Sequence, residues 1–338
     1  MPIHTVLGPI GPEELGPTNM HEHVFIDART WLAPPREPMP ANDKVAMENI
    51  GFLRWNPMGL EDNLIIDDPE LAIAELGLLT AAGASGLVDL TCIGIGPRIE
   101  DLAKVSRATG LHIMAGCGFY VHPTHPDWVE TATVEELTEF LVSELTTGIA
   151  PTTILPALIG EIGTSDPITD RERKVLQAAG RAAVQTGCAV NVHVEPRGLR
   201  GVEVVEILTG EGMPADRVIL SHMDEHLDRE YHLAAARTGA ILEYDTFGSE
   251  QYFLEGWKDP TDHERMQYVR MLVDEGYADQ LVVSSDVWVK TCLRHYGGMG
   301  YDHVQKRVVP ALERTYGVDG AALRRMLVDT PRRLLNRP

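Results

Sequence analysis

Short apolar runs recur along almost the whole chain, separated by longer segments in which polar and apolar residues mix. Continuous runs rich in Val, Ile and Leu are typical of strands covered on both faces, as in a parallel sheet between helices. Eight parallel strands close a barrel, so the pattern predicts a (β/α)8 TIM barrel. The eight predicted strands are residues 20–25, 85–91, 112–116, 158–162, 189–194, 217–222, 240–245 and 280–286.

Segments with helical patterning lie between these strands. Several begin at a capping residue, and those that follow Thr133 and Thr169 carry acidic residues in the first turn, where negative charge suits the helix dipole. We interpret residues 1–338 as a single barrel domain. The predicted helices include residues 68–82, 133–147, 170–186, 201–210, 228–238 and 261–275.

One long segment, residues 28–63, fits neither the strand nor the helix period. Its prolines are Pro34, Pro35, Pro38, Pro40 and Pro57. We interpret it as a long loop insertion after the first strand, placed to cover one mouth of the barrel.

Polar residues that can bind metals lie at the ends of several predicted strands. His21 and His23 are two residues apart, so on an extended segment both side chains point to the same face. In a barrel the carboxyl ends of all strands meet at one rim, where catalytic residues collect. The other strand ends of this kind carry Glu161, His193, His222 and Asp286.

Imidazoles gathered beside carboxylates suit a divalent metal, and zinc is favoured by the nitrogen ligands, although manganese, cobalt, nickel or iron fit the same set. The two oxygens of Glu161 could bridge two cations. A single histidine at a strand end is more often a hydrogen-bonded surface or core residue. Six such residues at five strand ends are more than a chance arrangement would give. We therefore predict a site for two divalent metal ions.

The amino-acid composition limits the predicted cellular location and the predicted binding partners. Fifty acidic against 29 basic residues give a formal charge of -21, which would repel nucleic acid and anionic membranes. The sequence opens without a basic, then apolar, leader and has no stretch of about 20 apolar residues, so we predict a cytoplasmic protein without a membrane partner. The cysteines are far apart and are predicted to be buried thiols: Cys92, Cys117, Cys188 and Cys292.

The sequence around these candidate ligands resembles the phosphotriesterase family of the amidohydrolase superfamily, along nearly the whole chain. Residues 16–23 read Gly-Pro-Thr-Asn-Met-His-Glu-His, and residues 160–163 read Gly-Glu-Ile-Gly, where the family has its bridging ligand. The bridging residue is the glutamate form, so no carboxylated lysine is implied. The sequence is most similar to the phosphotriesterase-related branch, whose vertebrate member is an N-acetyltaurine hydrolase. Supporting segments are residues 118–121, 172–178, 242–248 and 296–301.

The resemblance implies a role for each candidate ligand. His21, His23 and Asp286 would hold a more buried metal ion, His193 and His222 a more exposed one, and Glu161 would be shared. Two cations sharing a water would lower its pKa towards neutrality and give a bridging hydroxide as nucleophile. Asp286 would accept its proton and pass it to the leaving group. The family also implies a homodimer.

The expected reaction is hydrolysis of a carboxylic amide, ester or lactone bond in a small, anionic metabolite. Candidate substrate contacts are Tyr120, Arg197 and Asp245; Arg197 could pair with an anionic group, although a solvated surface arginine is the plainer interpretation. Residues 194–197, Val-Glu-Pro-Arg, differ from the vertebrate branch and weaken the case for acetyltaurine itself. Thr246 stands where family lactonases carry an arginine, which weakens the case for a homoserine lactonase.

The loop after the eighth strand is a candidate lid or specificity element, because this loop lines the pocket in family barrels. Its candidate residues are Lys290, Arg294 and Tyr301.

Two alternatives stay open. The chain could hydrolyse phosphotriesters, because the same polarised oxygen and hydroxide serve both reactions. It could also be a non-catalytic protein that binds a small ligand. The complete set of six candidate ligands argues against the second alternative, since an idle barrel has no need to keep them together.

Overall fold

The computed structural model describes residues 1–252 and 257–337. Eight parallel strands form a nearly closed barrel, and each predicted strand overlaps one of them, so the predicted fold class is confirmed. The strands are β1 (Thr18–Glu22), β2 (Gly86–Asp89), β3 (His112–Cys117), β4 (Leu158–Gly163), β5 (Val190–His193), β6 (Val218–Leu220), β7 (Ile241–Tyr244) and β8 (Leu281–Val283).

Each strand pairs with its neighbours in chain order. The last strand returns beside the first, where the peptide nitrogen of Asp286 donates to the carbonyl oxygen of His21 at 3.3 Å. The Ser284 hydroxyl also accepts from the His21 peptide nitrogen at 3.0 Å and contacts its carbonyl oxygen at 2.6 Å. These contacts bring β8 and β1 together and close the ring.

Helices cover the outside of the barrel. The predicted helices are present, and Thr133, Thr169 and Thr261 cap three of them by accepting from a peptide nitrogen in the first turn. The main helices are α1 (Pro69–Ala81), α2 (Ile99–Thr109), α3 (Val134–Thr147), α4 (Asp170–Thr186), α5 (Gly201–Gly210), α6 (Arg229–Arg237) and α7 (Asp262–Asp274). Shorter helices are Ile50–Trp55, Trp128–Thr131, Val309–Arg314, Gly320–Arg324 and Thr330–Leu335.

The lower part of the barrel is filled by apolar side chains. Met20, Val88, Met114, Ile219 and Val282 come from different strands and are fully buried together. Alternating strand residues on the outer surface pack under the helices in two further clusters. The apolar interior supports the rim at which the carboxyl ends of the strands meet.

The insertion after β1 lies at the mouth of the barrel, as expected. Apart from the helix Ile50–Trp55 it consists mainly of turns and irregular chain. Main-chain hydrogen bonds join the two ends of the insertion. The Ala28 peptide nitrogen donates to the carbonyl oxygen of Leu64 at 2.8 Å, and that of Ala33 donates to the carbonyl oxygen of Met58 at 3.0 Å. Ala28, Ala33 and Met58 line a cavity above the strand ends.

Three strands end before a candidate ligand that was expected to lie on them. β1, β6 and β8 stop before His23, His222 and Asp286, which were predicted to lie on the strands themselves. His222 and Asp286 have φ angles of 59° and 41°, in the left-handed region that side chains other than glycine rarely adopt. The chain leaves the extended conformation at these residues, and such conformations persist only where the surroundings fix them.

None of the helices in residues 1–252 and 257–337 combines the length and apolar character needed to cross a membrane.

Candidate active site

The six predicted metal ligands lie together at the carboxyl rim of the barrel. Glu161 is at the centre: its Oε1 is 3.0 Å from His222 Nε2, 3.2 Å from His193 Nδ1 and 3.6 Å from His21 Nε2. Its other oxygen, Oε2, is 3.9 Å from His23 Nε2. Asp286 Oδ1 is 3.4 Å from His23 Nε2 and 3.7 Å from His21 Nε2. The Glu161 carboxylate therefore lies between two pairs of imidazoles. One pair is His21 and His23, and the other is His193 and His222.

The donor atoms fit divalent cations. Ligand atoms within 4.8 Å of one another form overlapping triads that together include all six residues: His21, His222 and Asp286; His21, His23 and Glu161; Glu161, His193 and His222. His21 Nε2 and Asp286 Oδ1 are buried and have no hydrogen-bond partner in the described part of the chain. Buried polar atoms are normally paired, so these two atoms point to a ligand between them. Mixed imidazole and carboxylate donors are typical of zinc and related metals.

The far side of each of three imidazoles is anchored by an acceptor. Asp245 lies 2.9 Å from His21 Nδ1 and 3.2 Å from His222 Nδ1. The Thr91 hydroxyl is 2.9 Å from His23 Nδ1 and donates to the carbonyl oxygen of Phe25, so it accepts from His23. A proton on each Nδ1 leaves the Nε2 lone pair directed into the site. Such contacts orient metal-binding histidines and raise their basicity.

The predicted substrate contact by Asp245 does not match its location. Its side chain is fully buried beneath His21 and His222, and it also accepts from the His222 peptide nitrogen at 3.0 Å. It is absent from the residues that line the cavity. The location favours a positioning role for this carboxylate over contact with substrate.

A polar layer continues below the rim. Glu243 Oε2 accepts from Asn191 at 2.6 Å and from the Ser221 hydroxyl at 2.9 Å, and it lies 3.3 Å from His21 Nδ1. Asp89 accepts from the peptide nitrogens of Val24 at 2.7 Å and Thr91 at 3.1 Å. These buried carboxylates fix the chain around the histidines.

Glu22, which lies between the two histidines of the first strand segment, holds the Asp286 segment. Its carboxylate accepts from the peptide nitrogens of Ser285 at 3.1 Å and Val287 at 3.0 Å, on either side of Asp286. It also accepts from the Ser284 hydroxyl at 2.9 Å. Burial raises the pKa of Glu22 to about 7, although these hydrogen bonds favour the anion. The turn that presents Asp286 in its left-handed conformation is thereby fixed.

The electrostatics of the site favour positive charge at its centre. Burial alone would raise the pKa of Glu161, but the facing imidazoles of His21, His193 and His222 hold it well below its usual range. Burial acts to lower the pKa of His21 and His222, yet neighbouring carboxylates, chiefly Glu161 and Asp245, raise it well above 6.5. The same carboxylates that hold protons on these rings can hold divalent cations instead.

A cavity of about 410 Å3 opens above this centre. Five of the six candidate ligands border it, and these are His23, Glu161, His193, His222 and Asp286. Its volume lies within the range of about 300–1,000 Å3 found for small-molecule sites. Aromatic residues on its walls are Trp31, Tyr120, Trp257 and Trp288.

Tyr120 and Arg197 both line the cavity. The Tyr120 hydroxyl is 3.4 Å from His193 Nδ1, and its ring meets the ring of Trp31 edge to face. Arg197 is about half exposed and its Nε donates to Glu195 at 2.7 Å. Both positions allow contact with a substrate, and their roles stay predictions.

The loop after β8 contributes differently from the prediction. Lys290 pairs with Asp62 at 2.9 Å and Arg294 with Asp302 at 2.9 Å, and neither borders the cavity. Tyr301 is buried and donates to the carbonyl oxygen of His23 at 2.8 Å. The residue of this loop that lines the cavity is Trp288, which lies two positions after Asp286. The later residues of the loop do not border the cavity.

Sequence reasoning missed the positioning residues and most of the cavity wall. Glu22 carried one signal, a charged residue between two histidines on a buried strand. The wall residues lie in loops without any period, so no pattern in the sequence distinguishes them. The principal residues missed are Glu22, Thr91, Glu243, Trp31, Met58, Ile95, Glu225, Trp257, Asp259 and Trp288.

Comparison with known proteins agrees with this geometry. The model of the phosphotriesterase family matches residues 1–335. An N-acetyltaurine hydrolase from Xenopus tropicalis is 36% identical over 98% of this chain and 97% of its own length. The crystal structure of a resiniferatoxin-binding protein from Rhodobacter sphaeroides, 36% identical, superposes with a TM-score of 0.96 over 99% of this chain and 95% of that one. A lactonase from Listeria monocytogenes, 29% identical, gives a TM-score of 0.81 over 99% of both chains.

The chain belongs to the phosphotriesterase family and is a hydrolase of that family. The resemblance inferred from the motifs is thereby confirmed. Enzymes of this family generally depend on two metal ions, and the rim of this barrel carries the groups that could bind them.

Proposed function

We propose that this chain hydrolyses a carboxylic amide, ester or lactone bond in a small metabolite and uses two divalent cations to do so. The observation that carries the proposal is the position of Glu161, whose two oxygens lie within 3.9 Å of imidazoles on both sides of the site. The unpartnered His21 Nε2 and Asp286 Oδ1, within the described part of the chain, support it. The similarity to an amide hydrolase and to a lactonase supports the bond class.

His21, His23 and Asp286 would hold the deeper cation, His193 and His222 the outer one, and Glu161 both. When bound, such cations supply a water of lowered pKa and polarise the oxygen of the scissile bond. We propose zinc because four of the six ligands are imidazoles.

Asp286 is the proposed proton carrier. Its Oδ1 has no hydrogen-bond partner among the described residues and the side chain borders the cavity. If Oδ1 holds the deeper cation, the second oxygen of this carboxylate can accept a proton from the attacking water and deliver it to the leaving group. The Tyr120 hydroxyl can donate to the substrate oxygen from its place beside His193, and Arg197 at the rim can pair with an anionic group.

The test is an activity screen of the metal-reconstituted protein with N-acyl amino acids, N-acyltaurines, sugar lactones and phosphotriesters. We expect amides or lactones to be the best substrates, and Asp286→Asn to lower kcat by about 100-fold to 10,000-fold with a smaller change in KM. Asp274→Asn, on the exposed face of α7, is the matched control and should behave like the parent protein.

If metal-saturated Asp286→Asn kept the full kcat of the parent protein, Asp286 would not be the proton carrier. A phosphotriester preferred over every amide and lactone would overturn the bond class.

A ligand-binding role in addition to hydrolysis is a second candidate, because the structure with a TM-score of 0.96 is named a resiniferatoxin-binding protein. Tight binding of a ligand that the metal-loaded protein does not hydrolyse would favour it. A homodimer in the cytoplasm is a further proposal that rests on the sequence, and light scattering after size-exclusion chromatography measures the oligomer.

A further inference from the structure

The cavity has two unlike walls on opposite sides of the strand ring. The wall above β8, β1 and β2 is mainly apolar, with Ile26, Ala28, Trp31, Ala33, Met58, Ile95 and Trp288 alongside the polar Thr30. The wall above β5, β6 and β7 is mainly polar, with Glu195, Arg197, Glu225, Ser249 and Asp259 alongside Pro196 and Trp257. The candidate metal centre lies at the floor between them, so a bound substrate spans both walls.

The apolar wall is held in place by the fold. Ile26 and Ile95 are almost completely buried, and the Asp27 peptide nitrogen donates to the carbonyl oxygen of Ile95 at 2.9 Å. The Trp31 ring lies 6.2 Å from the Tyr120 ring and 6.4 Å from the His193 ring, between ring centres. The apolar surface therefore reaches down to the exposed side of the metal centre.

The polar wall offers hydrogen-bonding and charged groups. The Glu225 carboxylate is 3.8 Å from His222 Nδ1 and borders the cavity. Asp259 Oδ2 accepts from the Ser249 hydroxyl at 2.7 Å, while its buried Oδ1 has no partner in the described part of the chain. Carboxylates accept from an amide nitrogen or a departing amine, and Arg197 pairs with an anion.

We propose that the substrate is an N-acyl compound with an apolar acyl chain longer than acetyl, seated on the apolar wall, and a polar amine portion on the opposite wall. The proposal rests on the amide hydrolysis proposed above. The acetyl group would cover little of a wall with seven apolar residues, and a cavity of about 410 Å3 is of the size that holds drug-sized ligands. Apolar chain atoms leave water on this wall, which lowers the free energy of binding in proportion to the area covered.

The experiment measures kcat/KM of the metal-loaded enzyme for acetyl, butyryl, hexanoyl, octanoyl and decanoyl amides of glycine and of taurine. We expect an increase of roughly threefold to fourfold for each added methylene until the wall is covered. Calorimetric binding of the free carboxylate products, from acetate to decanoate, gives a readout without turnover and should follow the same order.

Two tryptophans of the insertion provide the variant and its control. Trp31→Ala should reduce kcat/KM for the decanoyl amide about tenfold more than for the acetyl amide, because truncation removes the surface that only the longer chain covers. Trp31→Phe should restore most of the difference. Trp55→Ala is the control, since Trp55 is exposed, stacks on Tyr252 and lies outside this cavity.

The outcomes separate the two proposals. If acetyl amides are hydrolysed as well as or better than longer ones, or if Trp31→Ala affects all chain lengths equally, the acyl assignment is wrong while the hydrolase proposal stands. If no amide in either series is hydrolysed and no carboxylate binds, the acyl assignment and the amide part of the proposed function are both wrong, and the ester or lactone part is then tested by the activity screen.

Discussion

The two sides of the candidate metal centre are anchored to different degrees. The inner trio, His21, His23 and Asp286, is backed by buried groups that belong to the barrel: Asp245 behind His21, Thr91 behind His23, and Glu22 around Asp286. At most 8% of any of these three side chains is exposed. Their donor atoms are fixed before any ion arrives.

The outer pair, His193 and His222, is closer to the cavity. His222 shares Asp245 with His21, but the His193 side chain is 13% exposed. The hydrogen-bonding contacts of its ring in the described residues are with Glu161, His222 and Tyr120, which all border the cavity. Fixed ligands favour affinity and exposed ligands favour access, so we expect the inner trio to retain its ion and the outer pair to meet substrate.

The largest effect should come from exchanging one histidine on each side. We expect the inner trio to provide most of the metal affinity, so His23→Asn should lose the tightly held ion and lower kcat/KM by about a thousandfold or more. His193→Asn should keep about one ion per chain after dialysis and lose mainly kcat. Metal content by mass spectrometry and steady-state kinetics measure both.

Equal loss of metal from the two variants would contradict the difference between the sides. His263→Asn, at an exposed position on α7, controls for the removal of a histidine alone.

A smaller effect should follow Glu22→Gln. The amide presents one acceptor oxygen and an NH2 group where the carboxylate receives the peptide hydrogens on both sides of Asp286, so the Asp286 turn loses a partner. We expect metal affinity to fall by about 10-fold to 100-fold, as for other groups that orient metal ligands. Competition with a chelator measures the affinity.

A thermal melt of metal-free Glu22→Gln separates positioning from folding. Unchanged affinity in a folded variant would show that Asp286 needs no support from Glu22. Glu100→Gln, exposed on α2, is the control.

The last effect concerns the loop behind the outer pair; it depends on pH and acts on the stability of the fold, not on metal affinity or turnover. His232 Nε2 donates to the carbonyl oxygen of His226 at 3.0 Å, and its Nδ1 accepts from the Tyr244 hydroxyl at 2.6 Å. Burial lowers its pKa to about 4, from the ordinary 6.5. The folded state thus favours the neutral ring, and its contribution is complete above pH 6.5 and is lost as the pH falls towards 4.

We expect about 3 kcal/mol of unfolding free energy to disappear over this window because of His232. Urea denaturation of the parent protein and of His232→Asn at several pH values measures it, and the variant should show the shallower dependence. Parallel curves for the two proteins would mean that His232 is not the group responsible.

The strands and the six candidate ligands could be predicted from the sequence because both follow from a regular pattern. Apolar runs mark strands, and barrel topology brings their ends together, so Glu161 and His222 are neighbours although far apart in sequence. The ends of β6 and β8 could not be predicted, since His222 and Asp286 adopt conformations that depend on hydrogen bonds from other strands.

The buried partners of the site also lay beyond the sequence pattern. Alternation along β7 places Glu243 and Asp245 on the same face, yet it does not tell whether a carboxylate faces substrate or an imidazole. The location of Asp245 below His21 and His222 favours contact with the imidazoles. The apolar wall could not be predicted either, because Trp31 and Met58 lie in an insertion without periodicity whose folding depends on contacts with the barrel.

The polar layer inside the upper barrel has a consequence for engineering. Glu22, Asp89, Glu243 and Asp245 are at most 2% exposed, at positions where most proteins pack hydrocarbon. Glu22, Asp89 and Asp245 each accept from at least one peptide nitrogen, so an apolar residue in their place would leave buried N–H groups unpaired and lower the melting temperature. A laboratory selection for heat resistance would therefore retain this layer, and stabilising substitutions are better sought elsewhere on the barrel.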